Sequence, residues 1–202
     1  PYLERLLRPP FQRQDGSPEE RPKGSPQASV VSPLFANLFM HYAFDLWMTR
    51  TYPDIRFELY ADDVILHAKS QAQAEQVLEA VRQRLKECRL ELHPEKTKIV
   101  YCKDDDRRGQ HEHIKFDFLG YTFRPRRAKN RWGKFFVSFI PAISDKAAKA
   151  IREAIRDWRL AATRNNQSLE GIAGLVNPSV RGWANYYGRF YRSALTPVLR
   201  HL

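Results

Sequence analysis

The chain has 202 residues, of which 43% are hydrophobic and 12% aromatic, and its formal net charge is +11. Such a length and composition suit one buried core, or one core with a small appended domain. Two cysteines, Cys88 and Cys102, are too few for a disulfide framework and lack metal-ligand spacing, no apolar run reaches the length of a membrane span, and no charged-then-apolar leader opens the chain, so a soluble, reduced, intracellular protein without a membrane partner is expected.

In chain order, residues 1–24 are rich in Pro, Arg and Glu and have no clean period, which reads as a loop segment. Ser32-Pro33 places an N-cap before a proline at the first helical position. Leu34, Leu38, Phe39, Tyr42 and Leu46 follow at helical spacing, predicting an amphipathic helix to about residue 50. Two strands are expected over about 55–61 and 64–68, with Asp62 and Asp63 at their junction. A helix over about 72–88 carries the stripe Val77, Leu78, Val81 and Leu85. "LELHPEKTKIVY" (90–101) supplies a turn at His93-Pro94 and then a strand, residues 104–113 a polar loop, and "KFDFLGYTFRPR" (115–126) a return to strand.

Residues 129–141 read as a hairpin or strand pair, and Ser144 as the cap of a helix to about Ala162. A short helical stretch near Ser168 and a last helix over about 178–191 complete the chain. On a wheel, Arg181, Asn185, Arg189 and Arg192 separate from Trp183, Tyr186, Tyr187, Phe190 and Tyr191. In the helix before it, Lys149, Arg152 and Arg156 lie opposite Ile151, Ile155, Trp158 and Ala162. Aromatic stripes at this spacing are what a helical bundle buries; the arginine stripes are the better functional candidates, because Arg grips phosphate bidentately. The charge is asymmetric: residues 1–120 hold 18 Lys+Arg against 19 Asp+Glu, a balance of −1, and residues 121–202 hold 16 against 4, a balance of +12. Six basic residues and no acidic one lie in 124–134, including Arg124, Arg126 and Arg127. That distribution points to a polyanion such as nucleic acid; a solvated basic surface is the bland alternative.

The Asp62-Asp63 pair carries the chemistry. Asp is common in turns, so the two letters alone say little. Their flanks are apolar, with no Gly or Asn to ease a reversal, and adjacent carboxylates repel one another, more strongly when partly buried. A bound cation removes that conflict. Oxygen-only ligands suit Mg²⁺, with Asp62 expected as the principal ligand and Asp63 as the second, since neighbouring side chains on a strand point to opposite faces.

"YADD" (60–63) at a hairpin tip resembles the catalytic box of reverse transcriptases. "GSPQASVVSPLFANLFMHYAFDLWM" (24–48), "LELHPEKTKIVY", "FDFLGYTFRPR" and "SLEGIAGLVNPSVRGWANYYGRFYRSAL" (168–195) resemble, in order, further blocks of the group II intron reverse transcriptases and their maturase-specific thumb. The resemblance implies an α+β fold: a partial palm with an antiparallel sheet and packed helices over 25–127, then a small α-helical thumb bundle over 128–202. It implies an RNA-directed DNA polymerase of bacterial cytoplasm that extends a DNA primer with deoxynucleotides on an RNA template, using two Mg²⁺ ions held by Asp62 and Asp63. Pro26 and Gln27, with Tyr60 and Ala61, would lie against nucleotide or template. Lys98, in preference to Lys96, would sit near the pyrophosphate, and Leu119 and Gly120 would form the primer grip. Ala28-Ser29 stands where that family usually has Gly-Gly, and the family's first catalytic aspartate and its fingers have no counterpart before Gly24. The chain is therefore expected to be inactive alone and to need an N-terminal fragment supplying them; the alternative is a maturase module that binds intron RNA and assists splicing without polymerising.

Overall fold

The computed structural model describes residues 11–12, 15–19, 31–107, 109–160 and 168–202. Pro26, Gln27 and Ala28-Ser29, like most of the N-terminal segment, lie outside the described residues. The architecture is α+β, with antiparallel pairing in each sheet, and the chain divides into two compact units, Pro1–Thr97 and Lys98–Leu202.

In the first unit, β1 (Phe11–Gln12) pairs with β2 (Pro18–Glu19). Helix α1 (Ser32–Met40) runs through a π-helical turn (His41–Asp45) into α2 (Leu46–Thr51). The helix starts at Ser32, so Val31 rather than Ser32 occupies the cap. The expected apolar stripe is not the buried one: Leu34, Leu38, Phe39 and Tyr42 are exposed, and Ala43, Phe44 and Met48 go inside. No residue of α1 is buried, and burial begins inside the π turn, at Ala43 and Phe44, past Leu34, Leu38 and Phe39. The widened turn is braced from outside it, by Arg84, whose Nε donates to the Ala43 carbonyl at 3.0 Å.

Strands β3 (Arg56–Tyr60) and β4 (Asp63–His67) form a hairpin, and α3 (Gln71–Glu87) follows, with the Ser70 hydroxyl accepting from the Gln73 N–H at 3.2 Å. Val77, Val81 and Leu85 are buried as the spacing predicts. They close on Phe44, Met48 and Ile55, with Phe57, Leu59 and Leu66 of the hairpin against them. Each such aliphatic side chain contributes about 1.5–3 kcal/mol of burial. The strand expected within 90–101 does not form. After a turn closed by Thr97 N–H on the His93 carbonyl, only Tyr101 N–H finds a distant backbone partner among the described residues, the His113 carbonyl, so no ladder forms there.

The second unit is built on β5 (Phe116–Phe118), β6 (Tyr121–Lys129) and β7 (Phe135–Ile143), ordered β5-β6-β7. Helix α4 (Asp145–Asp157) starts at the expected cap, where the Ser144 hydroxyl accepts from Ala147 N–H at 3.2 Å. It stops at Asp157, short of the expected Ala162; residues 161–167 lie outside the described residues. The two helical stretches expected after Ser168 are one helix, α5 (Leu169–Tyr187), which passes through Pro178. Proline removes one intrahelical hydrogen bond there but does not end the helix, so Gly174 and Gly182 are interior to it, while Gly171 lies in its first turn and donates its N–H to the Ser168 hydroxyl at 3.2 Å. A 3₁₀ turn (Arg192–Ala194) and α6 (Thr196–Leu199) follow, which takes Arg189 and Arg192 off the helical wheel. Ile143, Ala148, Ile151, Ile155, Leu195 and Val198 form the core, flanked by Trp158 and Trp183 stacked 5.5 Å apart, so the aromatic stripe is partly core as predicted.

Candidate active site and nucleic-acid interface

The acidic hairpin reverses through two residues, Ala61 and Asp62, with Tyr60 paired to Asp63. Only the first central residue has positive φ, 54° at Ala61, the φ pattern of a II′ turn that normally calls for glycine. An alanine here carries about 1 kcal/mol of backbone strain. Asp62 is thus the second turn residue, and Asp63 is the first residue of β4 rather than part of the junction. Directly paired residues share a face, so Asp63 lies with Tyr60, Glu58 and Ile65, opposite Phe57, Leu59 and Leu66. Both carboxylates are exposed, not partly buried, so solvent moderates their repulsion, and the tyrosine beside them is 61% exposed. Glu58, the next acid on that face, is held by His67, Nε2 to Oε2 2.6 Å.

Two adjacent, open, oxygen-only ligands fit a hard divalent ion that keeps waters and takes its other ligands from substrate phosphates. Among the described residues no group of three or more His, Cys, Asp or Glu side chains gathers to hold a metal. Of the acids before Gly24, Asp15 is engaged locally: it accepts from the Ser17 N–H at 2.9 Å and the Ser17 hydroxyl at 2.6 Å, bonds that hold its pKa down. Lys96 is an exposed residue of the first unit, Lys98 an exposed residue of the second.

In the second unit the Leu119-Gly120 turn joins β5 to β6 with φ of 48° and 78°, the all-positive pattern of a I′ turn. Two hydrogen bonds pin it. The Tyr186 hydroxyl donates to the Leu119 carbonyl at 2.8 Å, and Ser144 N–H donates to the Gly120 carbonyl at 2.9 Å. A Cβ on Gly120 would stand 2.8 Å from the Tyr187 hydroxyl. Tyr121, next in the chain, donates its hydroxyl to the Tyr186 carbonyl, and its ring meets those of Tyr186, Tyr187 and Phe190 at 5.2–5.5 Å. Burial first, and then the neighbouring phenols, raise the Tyr121 and Tyr187 pKa values above 10.0. Tyr186 and Tyr187 are functional candidates that sequence reasoning placed only in an aromatic stripe; their adjacency to the turn is a long-range contact with no local signal.

The basic residues divide into kinds. Arg124 and Arg127 are exposed on β6, whereas Arg126 turns inward, donating to the Thr122 carbonyl at 3.3 Å with its guanidinium 5.5 Å from the Tyr191 ring. Burial pushes the Arg126 pKa down. Lys149, Arg152 and Arg156 do share a face of α4, and together with His201 they line one cleft. Arg181, Arg189 and Arg192 are exposed.

The family described as reverse transcriptase (RNA-dependent DNA polymerase) matches residues 2–123, more than half of the chain. The chain belongs to the reverse transcriptases. A second match, to the maturase-specific domain of group II introns, covers residues 148–202 and makes this a group II intron reverse transcriptase/maturase, whose partners are nucleic acids. The first match takes in the N-terminal stretch that reads as loop, the acidic hairpin and the Leu119-Gly120 turn; the second takes in α5, most of α4 and the cleft. Between them lie residues 124–147, the β6–β7 hairpin and its basic run. No curated protein matches the chain.

Proposed function

We propose that the chain contributes the carboxylate pair and the primer-holding turn of an RNA-directed DNA polymerase. The observation that carries this reading is the tight Ala61-Asp62 turn, which presents two adjacent carboxylates to solvent inside the matched polymerase region. Asp62 and Asp63 would hold Mg²⁺. The chemistry a bound pair of such ions supplies is activation of the primer 3′-hydroxyl and stabilisation of the leaving pyrophosphate in an in-line displacement. Asp62 and Asp63 also set the negative end of the site, so that triphosphate enters only with its counter-ions. Tyr60 and Ala61 form the wall beside the pair, with Pro26 and Gln27 as further nucleotide or template contacts. Leu119 and Gly120 would form the primer grip, with the Leu119 side chain exposed on the turn and the absence of one on Gly120 making room for Tyr187. Tyr186 fixes that turn through the Leu119 carbonyl. Lys98 supplies a cation for the pyrophosphate.

Two-ion chemistry in this family uses a third carboxylate, so primer extension on an RNA template by the 202-residue chain should be weak and rise when an N-terminal fragment supplying an upstream aspartate and fingers is added. Robust extension by the chain alone would overturn the requirement for that fragment. Loss of the stimulated extension in Asp62→Asn with Asp63→Asn, with RNA affinity retained, is the result expected of the carboxylate pair.

The cleft of Lys149, Arg152, Arg156 and His201, within the maturase-matched region, favours a second reading in which the chain also binds folded intron RNA through its phosphates. Splicing stimulation that survives the double Asp→Asn change would support it.

A further inference from the structure

The β6–β7 hairpin projects a cluster that neither the carboxylate pair nor the tyrosine-pinned turn uses. At its end Trp132 is 75% exposed, Phe135 52% and Phe136 38%, three large aromatic side chains within five residues. Isolated exposed apolar residues are ordinary, but here each of two rings already carries a cation. The Arg131 guanidinium lies 4.1 Å from the Trp132 ring, the Arg127 guanidinium 3.9 Å from the Phe135 ring, and the Lys129 ammonium 5.6 Å from the same ring. The tip is built rather than loose. Asn130 accepts at its side-chain oxygen from Trp132 N–H at 3.0 Å and Lys134 N–H at 2.9 Å, its own N–H donates to the Lys134 carbonyl, and Gly133 turns the chain at φ 85°. The backbone that carries the rings is therefore set before any ligand arrives, which lowers the ordering cost of binding.

We infer that this hairpin tip is a stacking platform for unpaired bases of single-stranded RNA, with Trp132 as the principal ring and Phe135 as the second. The inference rests on the nucleic-acid reading and names a substrate feature within it. From Arg124 to Lys134 there are six basic residues and no acidic one, a complement to a polyanion. One acidic loop approaches β7, at Val137, where Asp105 N–H donates to the carbonyl, and in that loop Asp104 is neutralised by Arg107 at 2.5 Å. Cations alone would suit a duplex backbone. Exposed ring faces suit only bases whose own faces are free, and in an A-form helix those faces are stacked on one another.

Three labelled RNAs test this with the full chain: a single strand, a blunt duplex, and the same duplex with a single-stranded extension. Trp132→Ala should weaken the single strand and the extended duplex by about five- to a hundredfold and leave the blunt duplex within about twofold. Trp132→Phe should keep most of the affinity, and the tryptophan fluorescence quenched by single-stranded RNA in the wild type should no longer respond in that variant. Equal weakening on all three RNAs, or none on any, would overturn the stacking platform while wild-type binding to blunt duplex kept the broader reading intact. Failure of the wild type to bind any of the three would sink both. A Trp132 fluorescence response to vesicles of anionic lipid but not to RNA would overturn the inference in favour of a membrane surface.

Discussion

Gly120→Ala probes the Leu119-Gly120 turn, which we propose holds the primer. Two costs are visible. At φ 78° an alanine enters a left-handed conformation that costs about 1–2 kcal/mol for a residue with a Cβ. The new methyl also stands 2.8 Å from the Tyr187 hydroxyl, 3.3 Å from its Cε1 and 3.5 Å from its Cζ. Tyr187 cannot swing away freely, because its ring meets Tyr186 at 4.8 Å and Tyr121 at 5.5 Å and borders the core of the second unit. Displacing it gives up about another 1 kcal/mol of aromatic contact. The expected total is about 2–3 kcal/mol, seen as a fall of roughly 5–15 °C in the unfolding transition followed by circular dichroism. A double-mutant cycle separates the two costs: in a Tyr187→Phe background the nearest atom is gone, and the penalty of Gly120→Ala should shrink by about 1 kcal/mol to the backbone part. A Gly120→Ala variant within about 0.5 kcal/mol of wild type, or an unchanged penalty in the Phe background, would refute this account of the turn.

Other consequences can be measured on the same unit. Tyr186→Phe deletes the donor to the Leu119 carbonyl and should cost about 0.5–1.5 kcal/mol in denaturant unfolding; in stimulated primer extension it should raise the KM for primer more than it lowers kcat. Ser144→Ala removes the buried cap of α4 and should cost about 1 kcal/mol by the same unfolding measurement. The raised pKa values of Tyr121 and Tyr187 mean that the unfolded chain ionises first as pH rises through 10.0, so the folded state binds more protons there and stability must fall with increasing pH. Thermal melts should show no tyrosine-linked change below that value and a decline above it, with the decline shallower in Tyr187→Phe. Absorbance at tyrosinate wavelengths should rise at higher pH in the folded than in the unfolded protein.

Much of the fold was legible because its signals are local. Ser144 caps its helix and Val77, Val81 and Leu85 keep a constant period, whereas the Ser70 cap went unread and residues 115–126, read as strand, divide into β5 and β6 at the Leu119-Gly120 turn that only the family resemblance implied. The misreadings each have a physical source. Burial in the first helix begins only inside the π turn at His41–Asp45, with Ala43 and Phe44, and leaves Leu34, Leu38, Phe39 and Tyr42 exposed. Pro178, read as a helix start, sits inside α5 because losing one hydrogen bond does not outweigh a helix whose Trp183 and Tyr187 are packed on a core. Residues 90–101 contain a strand-like run, but among the described residues only Tyr101 gains a backbone partner across from it, the His113 carbonyl, so no ladder forms. At the site, the carboxylate pair and the basic run could be read from sequence, since both are contiguous. Arg126 turning onto Tyr191, and Tyr186 reaching Leu119, could not, because each depends on residues more than sixty positions apart meeting in space.

The central claim is that the Ala61-Asp62 turn seats a divalent ion between two adjacent carboxylates. Mn²⁺ added to isotopically labelled protein should broaden the amide signals of Tyr60 to Val64 first, excess Mg²⁺ should restore them, and Asp62→Asn with Asp63→Asn should abolish the effect. Broadening confined to other residues, or persisting at the hairpin in the double variant, would contradict it.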